Sequence, residues 1–291
     1  MLKQKIARIG SEIAGEPAAR SMGVLPALAL WSALFALPLC FFFIVSFWSV
    51  RGLAMRPDLT LQNYWATLRD YGDVLASTLL IGLITAFVTT SIAWFFAFAI
   101  RFRAGRFGNA LLFITLIALF GGYLVKIYAW KSILGRDGII NAALLALGLI
   151  DEPLTVFIYN ANSVVITLTY FLLPFAVLPI YGSMRAIPED FVEAARDLGA
   201  GSLRAAADIV LPLSEKGLSV AFLMAFLVSV GDYVTPRYVG GGASMMGHFI
   251  ETQFSFGFNW PMGSAMSFTL MAVSLIIYLL LRTLFRRLVL P

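Results

Sequence analysis

Cysteine and histidine are nearly missing: Cys40 and His248 stand alone in a chain of 291 residues. A single cysteine rules out an internal disulfide. A catalytic zinc takes about three protein ligands, mostly His or Cys, and no such cluster is spaced along this chain. Charged side chains are scarce too, at 13%, which is about half the share of a soluble domain. None of the five lysines follows a glycine, so a phosphate-binding loop of the kind that hydrolyses ATP is missing. No set of catalytic residues stands out. What the chain has in excess is apolar residues, 60% of the total. A soluble fold of this length built from them would expose aggregation-prone patches, so the composition implies an integral membrane protein. The net charge of +5 does not signal nucleic acid, because the basic residues sit in short loops between apolar runs rather than on one face.

A membrane-spanning helix needs about 20 mostly apolar residues. Runs of that character cover 24–47, 78–100, 107–130, 163–184, 218–230 and 265–284, the fifth being short. The expected fold is an all-α membrane protein with six transmembrane helices, residues 24–291 forming one domain. Six spans put both termini on one side, which would carry fourteen of the 21 basic residues against seven on the other. Cytoplasmic loops hold the excess of Lys and Arg, so both termini are expected in the cytoplasm. Leu2, Ile6, Ile9 and Ile13 share one helical face, with Lys3, Lys5 and Arg8 elsewhere. Residues 1–23 are read as an amphipathic segment on the cytoplasmic surface, with a disordered basic tail as the alternative. Leu39 is too large for the small residue that lipoprotein cleavage before Cys40 needs, so the first span is expected to be retained.

The external loops differ in character. The first, 48–76, balances three basic against three acidic residues. The second, 131–162, holds the turn signal Asp137-Gly138 and then an apolar run, 139–149, expected to form a short helix on the external face. The last, 235–263, contains Gly240, Gly241 and Gly242 and has no clear period. His248 and Glu251 in this loop read as structural, and Met245, Met246, Met262, Met266 and Met271 as packing residues. Lys126 is expected to reach the external face by snorkelling.

The informative loop is cytoplasmic, 185–217, and far longer than a turn between two helices requires. Pro188, Glu189 and Asp190 form a helix start, with acids at the positive dipole end. Phe191, Ala194, Ala195 and Leu198 follow at helical spacing. Gly199 and Gly201 interrupt, Ser202 can cap a second helix over 203–210, and Pro212 is expected to stop it. The product is a helix–turn–helix knob whose surface is partly apolar at Ala194, Ala195 and Ala205–Ala207. Such a knob suits a groove on a partner.

Glu193-Ala194-Ala195, three residues, Gly199, nine residues, Ile209, one residue, Leu211-Pro212 resembles the EAA loop of permease subunits of bacterial ABC importers. From about residue 24 onward the chain is similar to the spermidine/putrescine branch of that family, through Tyr128, Ala129, Trp130, Gly138 and Asn141, through Gly231, Asp232, Pro236, Gly240 and Gly241, and through 259–265. Two positions depart. Lys126 stands where Arg is expected, which keeps charge but loses bidentate geometry. Arg237 stands where that branch often has an acid, and it would repel a polycation.

The resemblance implies a subunit of the bacterial inner membrane. Its coupling loop, with Glu193, Ala194, Ala195, Asp197, Gly199, Ile209, Leu211 and Pro212, would dock into an ATPase subunit. Two ATPase subunits are implied, together with a second permease, homologous rather than identical, and an external solute-binding protein. ATP and Mg would be held on the ATPases, and no cofactor on this chain. The solute would be a polyamine or a related small organic molecule.

Asp232 follows the short fifth span. An acid at membrane depth is costly unless paired or facing a watery cavity. Two readings stay open, a cation contact in the translocation path or a helix-end residue pairing with backbone or Arg237. Tyr128, Trp130 and Tyr233 likewise read either as an aromatic lining for an ammonium group or as an interfacial belt. An ion-driven secondary transporter is the alternative function. It fits less well, because few acids lie in the spans and the long knob would lack a purpose. An intramembrane enzyme would need a catalytic constellation that the chain does not offer.

Overall fold

The computed structural model of the chain describes residues 26–52, 54–157, 159–241 and 245–289. The amphipathic segment expected over 1–23 lies outside the described residues. The fold is predominantly helical. Among the described residues, four helices are long and apolar enough to cross a membrane: α1 (Pro26–Val45), α3 (Gly72–Phe102), α7 (Ala161–Arg185) and α13 (Trp260–Val289). Two bent helix pairs raise the number to six if each pair counts as one span.

The sequence predicts an unbroken third span over 107–130, and the structure corrects this. Helix α4 (Gly108–Leu119) ends, and α5 (Tyr123–Leu134) begins, at a bend of 100°. Gly121 and Gly122 sit at the break, Gly122 being extended at φ −56°, ψ 135°. Each glycine weakens a helix interior by about 1 kcal/mol relative to alanine, so the pair marks the cheapest place to stop. Lys126 does not snorkel outward. Its ammonium donates to the Ala118 carbonyl at 2.6 Å and lies 5.2 Å from the centre of the Phe171 ring. It thereby satisfies a carbonyl that the end of α4 leaves free. The expected short helix after Asp137-Gly138 is α6 (Ile139–Ala146). Its Asn141 is buried and ties Gly135 and Leu154 together through three hydrogen bonds of 2.9–3.0 Å.

The loops hold more structure than their sequences announce. Between α1 and α3 lie an antiparallel ribbon of β1 (Ser49–Arg51) and β2 (Ala54–Arg56) and a helix α2 (Gln62–Asp70). The expectation of a purely α fold therefore misses two short strands. After α7 come α8 (Glu189–Asp197), α9 (Ser202–Ala205) and α10 (Glu215–Gly231). The aperiodic last loop contains α11 (Val234–Val239) and α12 (Met246–Ser255).

Pro212 does not end the second helix of the knob at Val210. From α9 the chain passes through a wide π-helical turn, Ala206–Val210, and a helical turn, Leu211–Leu213, then breaks at Ser214 with a bend of 68°. Proline brings no N–H to bond back along a helix and its ring crowds the preceding turn, and the backbone is widened to a π-helical turn just before Pro212. Ser214 is fully buried. Trp94 Nε1 donates to its Oγ at 3.1 Å, and that hydroxyl donates to the Leu211 carbonyl at 3.0 Å. The second helix begins with the Gly201 carbonyl accepting the Ala205 N–H at 2.9 Å.

The core is the crossing of α3, α7 and α10. Small residues let the backbones approach, as is usual between membrane helices. At Gly217 a Cβ would stand 2.5 Å from the Pro179 carbonyl oxygen and 2.6 Å from Ser183 Oγ. Two apolar clusters lie along this crossing. One gathers Leu79, Leu168, Phe226, Val239, Met245 and Met266. The other gathers Trp94, Ile100, Ile180, Met184, Val192 and Val210. Met271, expected to pack inside, is half exposed.

Candidate coupling knob and translocation site

The knob grows from the second cluster. Helix α7 ends at Arg185, and α8 starts with Glu189 and Asp190 in its first turn, where the helix dipole favours acids. Arg101, at the end of α3, forms an ion pair with Glu189. Val192, Ala205, Ala206 and Val210 are buried against Ile100, Met184 and Ile187. Ala205 and Ala206 are thus the root of the knob and not, as expected, its surface.

Gly199 adopts φ +86° with nothing near the place a Cβ would occupy. The Ala200 N–H donates to the Ala195 carbonyl at 2.9 Å, the closing bond of a Schellman turn. Left-handed backbone costs an L side chain about 1–2 kcal/mol, so conformation, and not space, favours glycine here.

The eight residues expected to couple divide into two groups. Glu193, Ala194, Asp197 and Gly199 are exposed, while Ala195, Ile209, Leu211 and Pro212 are partly buried toward the root. Leu198 at 89% exposure and Phe191 at 52% extend the exposed face. A rigid root carrying a small, acidic and apolar face can transmit force to a groove-bearing partner.

The other candidates lie along the first cluster. Asp232 is buried, at 8% exposure. Its Oδ1 accepts from Tyr123 OH at 2.6 Å and from the Val234 N–H at 3.1 Å, and its Oδ2 accepts from the Thr235 N–H at 3.1 Å. Tyr123 OH also meets Thr235 Oγ1 at 2.8 Å. The acid therefore starts α11 and fastens it to α5 across the bend, while Arg237 points to the exposed side. Sequence reasoning missed Tyr123 and Thr235. No local signal joins Tyr123 to an acid 109 positions away.

The three aromatic candidates are not gathered around Asp232. Tyr128 packs on Tyr238, with ring centres 5.4 Å apart, and Trp130 on Tyr170, at 5.5 Å. Tyr233 instead lines a cavity of about 720 Å³ between α10, α12 and α13, together with Leu227, Glu251, Phe254 and Ser274. Cavities of this size accommodate small organic solutes.

The family model for binding-protein-dependent transport system inner membrane components matches residues 24–290. The chain is 33% identical over 224 residues to the spermidine/putrescine transport system permease protein PotB of Escherichia coli K12, covering 75% of this chain and 81% of that protein. It is 28% identical over 241 residues to the inner membrane ABC transporter permease protein YdcU of the same organism, covering 77% of this chain and 75% of that protein. A chain in the crystal structure of a bacterial ABC transporter involved in import of the acidic polysaccharide alginate superposes with a TM-score of 0.72 at 14% identity, over 96% of this chain and 99% of its own length. That likeness shows a shared fold. The match across almost the whole chain establishes that this protein belongs to the family of binding-protein-dependent transport system inner membrane components, as a permease subunit of an ABC importer.

Proposed function

We propose that this permease forms half of the translocation pathway for a polyamine-like cationic solute, driven by ATP through the α8–α9 knob. The observation that carries the coupling reading is the knob itself: a Gly199 turn and a root buried in the helix core, with Glu193, Ala194 and Asp197 exposed. Two ATPase subunits would receive this face and its counterpart on a second, homologous permease. ATP and Mg would be bound and consumed on the ATPases, which fits a chain without a Gly-Lys phosphate loop. Closure of the ATPases would draw the two knobs together and turn the pathway between faces as a rigid-body motion.

In this reading each bent pair is one span, giving six, and residues 24–291 form the membrane domain. The excess of Lys and Arg puts both termini and the 185–217 loop in the cytoplasm. An external binding protein would deliver solute at the opposite face. PotB supports the polyamine class, as a spermidine/putrescine permease by name. Tyr233 lines the cavity of the pathway, and Asp232 is the joint that holds α5 to α11 beside it. Tyr128, packed on Tyr238, and Trp130, packed on Tyr170, are candidate pathway aromatics apart from that joint.

The test is ATP hydrolysis by the assembled complex in lipid, with binding protein loaded from a panel of solutes. Stimulation by putrescine or spermidine is expected. Stimulation by another solute alone would keep the importer and discard the polyamine. Uptake driven by an ion gradient without an ATPase would overturn the coupling reading.

A further inference from the structure

A push on the knob moves the helix core only if the knob is held at a fixed angle to it. Apolar packing holds its root from one side, where Ala205, Ala206 and Val210 lie against Ile100, Met184 and Ile187. On the other side the walls stand apart. There Ala206, Ala207 and Leu211 of the root face α3, α10 and α13 across a cavity of about 900 Å³. Burial of apolar surface is non-directional, so packing from one side leaves the root free to roll toward that space. Fixing the angle takes a directional contact.

Trp94 and Ser214 supply it. Ser214 stands at the 68° break between the root and α10. Its backbone bonds are complete in both directions: the N–H donates to the Val210 carbonyl at 2.9 Å, and the carbonyl accepts from the Leu218 N–H at 3.0 Å. The buried hydroxyl donates to the Leu211 carbonyl on the knob side and accepts the indole N–H of Trp94 from α3. One oxygen thus ties the root to a side chain 120 positions away. The indole is itself held in orientation. It stacks on Phe98, with ring centres 5.6 Å apart, and meets Phe95 edge-on at 5.2 Å. The bond is therefore anchored at both ends, beside the cavity into which the root would otherwise roll.

We infer that the Trp94–Ser214 hydrogen bond is the strut that passes a displacement of the α8–α9 knob to α3, which makes both residues positioning residues for ATP-coupled transport. This rests on the coupling reading above and names the route by which the knob moves the core. Without the strut the ATPases still close on the knob, but part of each stroke is spent rolling the root instead of turning the pathway. More ATP is then consumed for each solute carried.

The experiment uses the assembled permease–ATPase complex in proteoliposomes with loaded binding protein, and it has two arms. One measures ATP hydrolysed per radiolabelled spermidine or putrescine taken up. The other measures, by pulsed electron resonance, the distance between nitroxides on the exposed positions Arg103→Cys and Arg204→Cys in a Cys40→Ser background with cysteine-free partners, with and without ATP. Trp94→Phe removes the N–H and keeps most of the ring; Ser214→Ala removes the hydroxyl. Each is expected to raise the ATP consumed per solute about threefold or more, the scale of one net hydrogen bond, and to broaden the distance distribution. The double variant should lose no more than either single one, because both changes remove the same bond. Misfolding lowers uptake and hydrolysis together and leaves their ratio unmoved. An unchanged ratio, an unchanged distance distribution, or additive losses in the double variant would each overturn the strut; if neither polyamine is carried, the distance arm decides alone. Gly199→Asp, run in parallel, separates this from the wider reading. Normal uptake there discards the coupling role of the knob and the strut with it, whereas impaired uptake there beside an unchanged Trp94→Phe discards the strut alone.

Discussion

The knob and the Asp232 joint are both polar interruptions of an apolar chain, yet they are built in opposite ways. The knob is local. Its two helices, its Gly199 turn and its acids all come from one stretch, and its exposed face keeps the charges in water. The joint is assembled from afar, with Tyr123 brought to Asp232 and Thr235 from more than 100 positions away in the chain. There the charge is buried, and both oxygens have donors. The difference teaches where each region can tolerate change. A surface face that meets a partner can lose a side chain without unfolding, whereas a buried network loses stability when one member goes.

The sharpest way to separate the two is to strike the crossing that both share. Gly217→Ala would push a methyl into the Pro179 carbonyl, and overpacking of this kind costs about 1–3 kcal/mol or more. We expect it to lower the thermal midpoint of the purified complex further than any change below. At the joint, Tyr123→Phe leaves the buried carboxylate one donor short, at about 1–3 kcal/mol. Its melting temperature should fall, and Asp232→Asn should fall with it while also slowing uptake of a cationic solute. A variant pair that melts like the parent would remove the joint from the stabilising contacts.

At the knob the expected readout is reversed. Gly199→Asp carries a left-handed strain of about 1–2 kcal/mol in open space, so assembly should survive while uptake drops and solute capture by the binding protein stays intact. Glu193→Ala should impair uptake with less change in stability still, because the side chain is exposed. Normal uptake in both would deny the knob its coupling role. The smallest effect is expected from Arg101→Gln. It removes the ion pair to the exposed Glu189, which is worth about 0–1 kcal/mol and is screened by salt. Chemical denaturation at low and high salt would detect it.

Much of this division was readable beforehand. The spacing from Glu193 to Pro212 announces a helix, a glycine reversal and a second helix, because helix period and turn chemistry are local properties. The burial of Ala205 and Ala206 was not readable, since three consecutive alanines look alike until a neighbour covers two of them. The last external loop defeated periodicity for a similar reason. Its helices α11 and α12 span only 6 and 10 residues, too short to print a clear pattern, and tertiary contacts hold them.

Sequence alone determined the membrane environment, the apolar runs and the helix–glycine–helix motif, because composition, hydropathy and short-range spacing do not depend on what lies far along the chain. Only the tertiary structure decided where two of those runs bend. It also decided which donors fill Asp232, and that Glu251 and Tyr233 share one cavity. Those outcomes depend on contacts between distant segments. Lys126 can cap α4 only once the chain has folded back on itself, and Trp94 can hold Ser214 only once α3 lies against the bend.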